Sequence, residues 1–134
     1  MTRPLFIFEM ANNHMGDITH GVALIRAMRA ACDGFDEFDF AFKLQYRDLD
    51  SFIHPSFKGR DDVKYVKRFE ETRLSAAQFQ TLIDAMRECG FKTMCTPFDE
   101  KSVDLIETQN IEIIKIASCS LTDWPLLERI AASD

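Results

Sequence analysis

The chain has 134 residues, of which 46% are hydrophobic and 12 are phenylalanine, which suits a globular domain with a buried core rather than a disordered segment. Its 22 acidic and 16 basic residues give a formal net charge of -6, which argues against general binding to nucleic acid phosphates or anionic membranes. No segment has the pattern of a signal peptide or of a membrane span. We therefore expect a cytoplasmic protein that binds neither nucleic acid nor membrane.

The first predicted unit is a strand over residues 5–9 followed by a helix. Glu9 ends the strand, where a carboxylate can accept hydrogen bonds from a polyol, act as a base or serve as a counter-ion for a lysine. The helix has Asp17 as its N-cap and apolar residues at helical spacing up to Cys32. His14, between the two elements, is expected to be a turn or core residue rather than a metal ligand.

The second unit begins with a strand over residues 40–45. Lys43 and Gln45 share one face of this strand, because side chains alternate along it. Residues 46–74 form a connection that is too long for an ordinary βα loop. We favour a lid or substrate-binding loop with a short helix near residues 61–70; a solvated surface excursion is the alternative.

The third and fourth units follow without a linker. Ser75 and Gln78 form a capping box for a helix over residues 75–89, and a strand over residues 91–95 leads directly to Thr96. The remaining elements are a helix after Asp99, a strand over residues 112–117 that contains Lys115 and precedes Ser118, and a helix that starts near Asp123 with Pro125 in its first turn.

Four successive βα units predict an α/β protein with a parallel sheet, either half of a TIM (β/α)8 barrel or part of a doubly wound open sheet. No GxGxxG follows the first strand, and polar residues follow all four strands. Because TIM barrels keep their chemistry at the carboxyl ends of their strands, this pattern favours the barrel. A complete barrel takes about 250 residues, so we expect residues 1–134 to be its first four βα units.

Lys43 and Lys115 lie in otherwise apolar strands. A buried ammonium needs a partner, so two lysines in matching positions, joined by the hydroxyls of Thr96 and Ser118, predict a site for a phosphate or carboxylate. Two alternatives remain open. The lysines can form structural ion pairs with Glu9 or Asp99, or one of them can form a Schiff base with a carbonyl substrate.

No cysteine or histidine in the chain has the spacing of a metal site. Cys32 and Cys89 lie near the ends of predicted helices, where we expect buried thiols in a reducing compartment rather than disulfides. Cys119 follows the fourth strand in a polar loop, and no adjacent residue supplies a base to activate it.

At the strand ends, the strings FEMANNHMGD, FKLQYRD, CTPFD and IIKIAS occur in this order, and this set resembles the N-terminal barrel of the sialic acid (N-acetylneuraminate) synthase family. The resemblance covers essentially the whole chain. It implies a transferase of carbohydrate biosynthesis that joins phosphoenolpyruvate to the open-chain aldehyde of N-acetylmannosamine or a related sugar. The products are a 3-deoxy-2-keto acid and phosphate.

The resemblance also implies roles for individual residues. Glu9 would line the reacting centre, and Gln45 would contact the sugar. The residues implied to contact the phosphate or carboxylate of phosphoenolpyruvate are Lys43, Thr96, Lys115 and Ser118.

By the same resemblance, the intact protein uses a divalent metal, manganese or magnesium, whose histidine ligands come from the later half of the barrel. It forms a homodimer and carries a small C-terminal antifreeze-like domain, of which this chain contains nothing. We therefore expect the 134-residue chain by itself to be inactive.

One position departs from the family pattern. After KIAS the family usually has a carboxylate two residues beyond the serine, whereas this chain has Ser120. A serine cannot replace a carboxylate as a general base at neutral pH. Either another group takes this role, or the substrate differs, or the protein is a divergent relative with reduced activity. The alternative functions are a sugar or sugar-phosphate binding relative without synthase activity and a related keto-deoxy sugar phosphate synthase.

Overall fold

A four-stranded parallel sheet forms the centre of the computed structural model, which describes residues 3–133. The strands are β1 (Leu5–Glu9), β2 (Asp39–Tyr46), β3 (Lys92–Pro97) and β4 (Ile113–Ile114), and they lie side by side in chain order. The predicted parallel α/β fold is confirmed. Four successive units of a TIM barrel share this order, whereas closure into a barrel stays a prediction.

Within residues 3–133, six α-helices connect or follow the strands. Five of them were predicted, including one of the two short helices in the long connection between β2 and β3. The helices are α1 (Ile18–Ala31), α2 (Leu49–Phe52), α3 (Lys64–Glu71), α4 (Ala76–Glu88), α5 (Glu100–Thr108) and α6 (Trp124–Ala131), with 3-10 turns at Pro55–Phe57 and Ser118–Ser120.

The predicted helix starts are confirmed by their capping hydrogen bonds. The carboxylate of Asp17 accepts from the first turn of α1, and the Asp99 and Asp123 carboxylates do the same for α5 and α6. Ser75 and Gln78 form the expected capping box of α4. These caps satisfy backbone N–H groups that no helical carbonyl can reach.

Two predicted boundaries differ from the structure. The strand expected over residues 112–117 is limited to Ile113–Ile114, because β4 pairs only with β3 before the chain turns at Ser118–Ser120. The helix expected near residues 61–70 lies at Lys64–Glu71. Helix α2 was not predicted, since four residues are too few to show a helical period.

The hydrophobic core lies between the sheet and its helices. Phe42, Leu44 and Tyr46 of β2 pack there with Leu82 and Met86 of α4. The other face of the sheet is open over β1, where Leu5 and Ile7 are each 40% exposed, whereas Met94 and Thr96 of β3 are buried on the same face. Lys43 and Gln45 of β2 alternate with the core residues of that strand, so they lie on the open face.

The carboxyl end of α3 packs against the loop that follows β1. The side-chain amide of Asn12 donates a hydrogen bond of 2.5 Å to the Thr72 hydroxyl. Gly16 has a φ of +74°, and a Cβ at this position would lie 2.9 Å from the carbonyl oxygen of Glu71. Only glycine suits both the backbone conformation and the close approach, so this contact positions the long connection over the end of the sheet.

Among residues 3–133, none of the helices combines the length and the apolar composition that crossing a lipid bilayer requires.

Candidate functional site

The carboxyl ends of the four strands bring five of the predicted site residues onto the open face of the sheet. Glu9 lies opposite Lys43 in the register of β1 and β2, and Gln45 lies opposite Thr96 in that of β2 and β3. Lys115 is one residue beyond the last β3–β4 pair, and its backbone N–H donates to the carbonyl of Cys95. Residues opposite one another in a parallel sheet share a face, so Gln45, Thr96 and Lys115 form one row.

The side chains of Lys43 and Glu9 form an ion pair, which was one of the predicted alternatives. The distance between Lys43 Nζ and Glu9 Oε2 is 2.6 Å, and the lysine side chain is 15% exposed. Glu9 Oε1 also accepts from the N–H of Ala11, which fixes the orientation of the carboxylate. A Schiff base needs a free amine, whereas this lysine is engaged in an ion pair.

Asp99 does not serve as the partner of either lysine. Its Oδ1 accepts from the N–H of Ser102 at the start of α5, and its Oδ2 accepts from the N–H of Asp48. One oxygen therefore caps α5, and the other joins the segments that follow β2 and β3. Of the two alternative partners, Glu9 forms the ion pair and Asp99 does not.

In the described part of the chain, Lys115 has no counter-ion, and Thr96 has a buried hydroxyl without a hydrogen-bond partner. Lys115 is partly buried, and within residues 3–133 no carboxylate lies within 4.0 Å of its ammonium. Thr96 is 2% exposed, and its Oγ1 is buried without a hydrogen-bond partner. Such an unsatisfied group costs about 1–3 kcal/mol.

The turn after β4 carries Ser118 and the departure at Ser120. Ser118 is exposed at the start of the 3-10 turn, whereas Ser120 at its end is 6% exposed. The nearest carboxylate along the chain, Asp123, accepts from the N–H of Leu126 as the N-cap of α6. A helix cap uses this carboxylate, so it does not take the place of the one that the family pattern leads us to expect.

His14 is a core residue, as predicted. It is 3% exposed, its Nδ1 accepts from the N–H of Gly16, and burial lowers its pKa below the ordinary histidine value. Cys32 is buried, Cys89 is partly buried and Cys119 is exposed. All are free thiols, and burial raises the pKa of Cys32.

No group of three histidine, cysteine, aspartate or glutamate side chains gathers to hold a metal ion within the described part of the chain. These residues therefore do not by themselves form a metal site.

Sequence reasoning missed one residue of the strand-end region, Arg47. Its Nη2 donates to Gln45 Oε1 at 3.2 Å, and its guanidinium carbon lies 3.8 Å from the ring centroid of Phe98 and 4.5 Å from that of Phe69. Because side chains alternate along a strand, Arg47 lies on the same side of the chain as Gln45, two residues before it. However, no spacing in the sequence indicates that rings from distant segments meet there.

An open groove of about 540 Å³ lies beside this site, between α4, α5 and the long connection. Of the predicted residues only Gln45 lines it. Two of its cationic side chains have carboxylate partners, since Lys101 pairs with Asp48 at 2.7 Å and Arg73 pairs with Asp50 at 2.8 Å, whereas the guanidinium of Arg47 lies against aromatic rings. We therefore consider the strand ends, where within residues 3–133 Lys115 has no counter-ion and Thr96 Oγ1 has no hydrogen-bond partner, the better candidate for an active site.

The fold and the site together define a parallel βα protein with a cationic site at the carboxyl ends of its strands, the place where barrel enzymes bind their substrates. The sequence model of the NeuB family matches residues 29–134. The chain belongs to the NeuB family, which agrees with the resemblance seen in its strand-end motifs.

Two relatives show how much of a longer protein the chain represents. An uncharacterised protein of Methanocaldococcus jannaschii is 33% identical over 129 residues, which are 96% of this chain and 35% of that protein. The N,N'-diacetyllegionaminic acid synthase of Campylobacter jejuni is 29% identical over 135 residues, covering 98% of this chain and 40% of the synthase. The chain thus spans well under half the length of these relatives.

Solved structures agree with the fold. A Chromobacterium violaceum protein named for spore coat polysaccharide biosynthesis (protein E) is 76% identical and superposes with a TM-score of 0.95 over 98% of this chain and 39% of that one. The N-acetylneuraminic acid synthetase of Leptospira borgpetersenii, at 23% identity, has a TM-score of 0.77 over 97% of this chain and 41% of its own. The latter similarity supports the fold alone.

Proposed function

We propose that the protein to which this chain belongs is a sialic acid synthase-like transferase. It condenses phosphoenolpyruvate with an N-acetylated aldose such as N-acetylmannosamine, and it releases phosphate and a 3-deoxy-2-keto acid. Membership of the NeuB family supports the general class, and the Campylobacter jejuni relative is named as a synthase of this kind. The observation that carries the proposal is the buried Thr96 hydroxyl without a hydrogen-bond partner, which lies next to Lys115 in the row at the strand ends.

Phosphoenolpyruvate suits this site because it carries two anionic groups. Lys43 and Lys115 lie two strands apart, about 10 Å across the sheet, and two residues apart along it, about 7 Å. Their side chains can therefore reach a phosphate and a carboxylate at the same time, with Thr96 and Ser118 as hydroxyl donors. Binding would supply the hydrogen bond that Thr96 Oγ1 lacks.

Gln45 and Glu9 would face the sugar. Gln45 lies in the row of Thr96 and Lys115, and the Glu9 carboxylate is oriented by Lys43 and by the N–H of Ala11. A fixed carboxylate can hold sugar hydroxyls or accept a proton at the reacting centre. This arrangement would hold the aldehyde carbon close to the methylene carbon of the enol.

In the proposed reaction, the methylene carbon forms a bond to the aldehyde carbon, and the aldehyde oxygen takes up a proton. Water then adds to C2 of the former enol, and the C2–O bond to phosphate breaks. A divalent metal ion, manganese or magnesium, would polarise the aldehyde, held by residues outside this chain. We place this activity in a cytoplasmic homodimer of the longer protein.

Phosphate release tests the proposal in a protein of the relatives' full length. We expect release from phosphoenolpyruvate with manganese to depend on an added N-acetylated aldose and not on a phosphorylated one. Lys115→Met should lower kcat/KM for phosphoenolpyruvate about 10- to 100-fold, because a hydrogen bond to a charged group contributes about 1.5–3 kcal/mol.

Lys92→Met is the matched control for this variant. Lys92 lies on the same face of β3 as Thr96 but at the amino end of the strand, where it pairs with Asp39 at 3.2 Å. Its loss should therefore leave the kinetics unchanged. A folded protein that releases no phosphate with any aldose contradicts the proposed function.

The environment of Ser120 favours a second candidate, a binding relative without synthase activity, because this position carries no carboxylate and is buried. This candidate predicts that phosphoenolpyruvate binds without turnover. If no turnover is seen, Ser120→Glu tests the reason. Activity gained by this variant would show that the missing carboxylate alone prevents the reaction.

A further inference from the structure

Three phenylalanine rings enclose the guanidinium group of Arg47, and we call this arrangement the Arg47 cage. Phe52 comes from α2, Phe69 from α3 and Phe98 from the segment directly after β3. The guanidinium carbon lies 5.8, 4.5 and 3.8 Å from their respective ring centroids. The long connection therefore contributes two of the three rings.

The Arg47 cage takes the place of a counter-ion. Within residues 3–133 no carboxylate lies within 4.0 Å of the guanidinium, and its Nε is buried without a hydrogen-bond partner. Burial lowers the pKa of Arg47 from its ordinary value. Aromatic faces attract a guanidinium more strongly when water is excluded, which offsets the cost of this burial.

The hydrogen bond from Arg47 fixes the orientation of the Gln45 side chain. An arginine has donors only, so the atom of Gln45 that faces Arg47 must be the amide oxygen. The bond joins Arg47 Nη2 and Gln45 Oε1 at 3.2 Å. Consequently the NH2 group of Gln45 is directed away from Arg47 and is left to donate to an acceptor at the strand ends.

We propose that Arg47 is a positioning residue for the sugar substrate. It holds the Gln45 amide so that its NH2 group donates to an acceptor oxygen of the sugar, such as a hydroxyl or the N-acetyl carbonyl. The Arg47 cage makes this orientation depend on the long connection, through Phe52 and Phe69. This inference rests on the proposed function, in which Gln45 contacts the sugar.

A purely structural role for Arg47 makes different predictions. Such a role would lower the stability of the fold and would alter the binding of both substrates together. A positioning role raises the KM for the sugar, leaves the KM for phosphoenolpyruvate unchanged, and requires Gln45 to be present. A double-mutant cycle separates the two, because residues that act through one another are not additive.

The experiment uses the full-length protein with phosphoenolpyruvate, N-acetylmannosamine and manganese. We expect Arg47→Met, which keeps an apolar chain inside the cage, to raise the KM for the sugar about 5- to 10-fold. In a Gln45→Ala background the same change should have no further effect. Arg29→Met removes an exposed arginine of α1 that pairs with Asp33, and it should change neither KM. Equal effects of Arg47→Met in both backgrounds would overturn the proposal.

A second measurement does not depend on turnover. The 15N-labelled side-chain amide of Gln45 gives an NMR signal that can be assigned by its loss in Gln45→Ala. We expect this signal to shift in Arg47→Met and in Phe69→Leu but not in Arg29→Met; an unchanged signal in Arg47→Met would overturn the positioning role. If the wild-type protein turns over no sugar, the proposed function fails, while this signal still decides whether Arg47 orients Gln45.

Discussion

At the end of β3 the Thr96 hydroxyl is buried without a partner, next to a lysine that has no counter-ion. A binding site explains this arrangement, because the ligand completes what the fold leaves unsatisfied. Thr96→Val should therefore raise the free energy of unfolding by about 1 kcal/mol, since it removes an unsatisfied buried group of similar shape. The same change should weaken the binding of phosphoenolpyruvate. Urea unfolding and titration calorimetry measure the two effects.

Thr93→Val is the control for this prediction. Thr93 is also buried in β3, but its hydroxyl has two partners in Glu112. It donates to the Glu112 carboxylate and accepts from the Glu112 backbone N–H, each at 3.2 Å. Its replacement should lower the stability by about 1 kcal/mol or more. If both variants are destabilised alike and ligand binding is unaffected, Thr96 has only a structural role.

Several site residues could be predicted from the sequence because strand periodicity is a local property. The alternation in FKLQ places Lys43 and Gln45 on one face, and the structure agrees. The ion pair between Lys43 and Glu9 was only one of several alternatives, because the register of β1 and β2 decides which carboxylate lies opposite Lys43. The role of Arg47 could not be predicted, because it depends on rings separated by up to 46 positions that meet only in the folded chain.

At the scale of elements, the capping box of α4 gives the sharpest stability prediction. The Ser75 hydroxyl accepts from the N–H of Gln78, and the Gln78 side chain accepts from the N–H of Ser75. Ser75→Ala should lower the free energy of unfolding by about 1 kcal/mol. Thr81→Ala, within the same helix, is the control: this exposed threonine only bonds back to the Ala77 carbonyl, so its loss should be neutral or slightly stabilising.

Elements with strong end signals were predicted well, whereas the long connection was not. Helices α1, α4, α5 and α6 each have a polar N-cap and an apolar face, so their sequences specify both their starts and their burial. Residues 46–74 fold by contacts with other segments, as at Gly16 and the Arg47 cage. Their sequence indicates a short helix, but it does not indicate which other segments the connection packs against.

At the scale of the whole molecule, the open face of the sheet has consequences for the chain in isolation. Leu5 and Ile7 are exposed on this face, and β1 and β4 each pair on one side only within residues 3–133. Exposed apolar faces and unpaired strand edges favour association. We expect the 134-residue chain alone to self-associate in sedimentation velocity, and Ile7→Lys to reduce this association. A monomer at all concentrations would contradict the prediction.

The central claim is that the strand ends, and not the groove beside them, bind phosphoenolpyruvate. A crystal structure of the full-length protein with phosphoenolpyruvate tests it most directly. We predict that one anionic group of the ligand lies within hydrogen-bond distance of Thr96 Oγ1 and the Lys115 ammonium, with Lys43 beside the other group. Phosphoenolpyruvate bound instead in the groove near Arg73 and Lys101, with Thr96 still unpaired, would contradict the account.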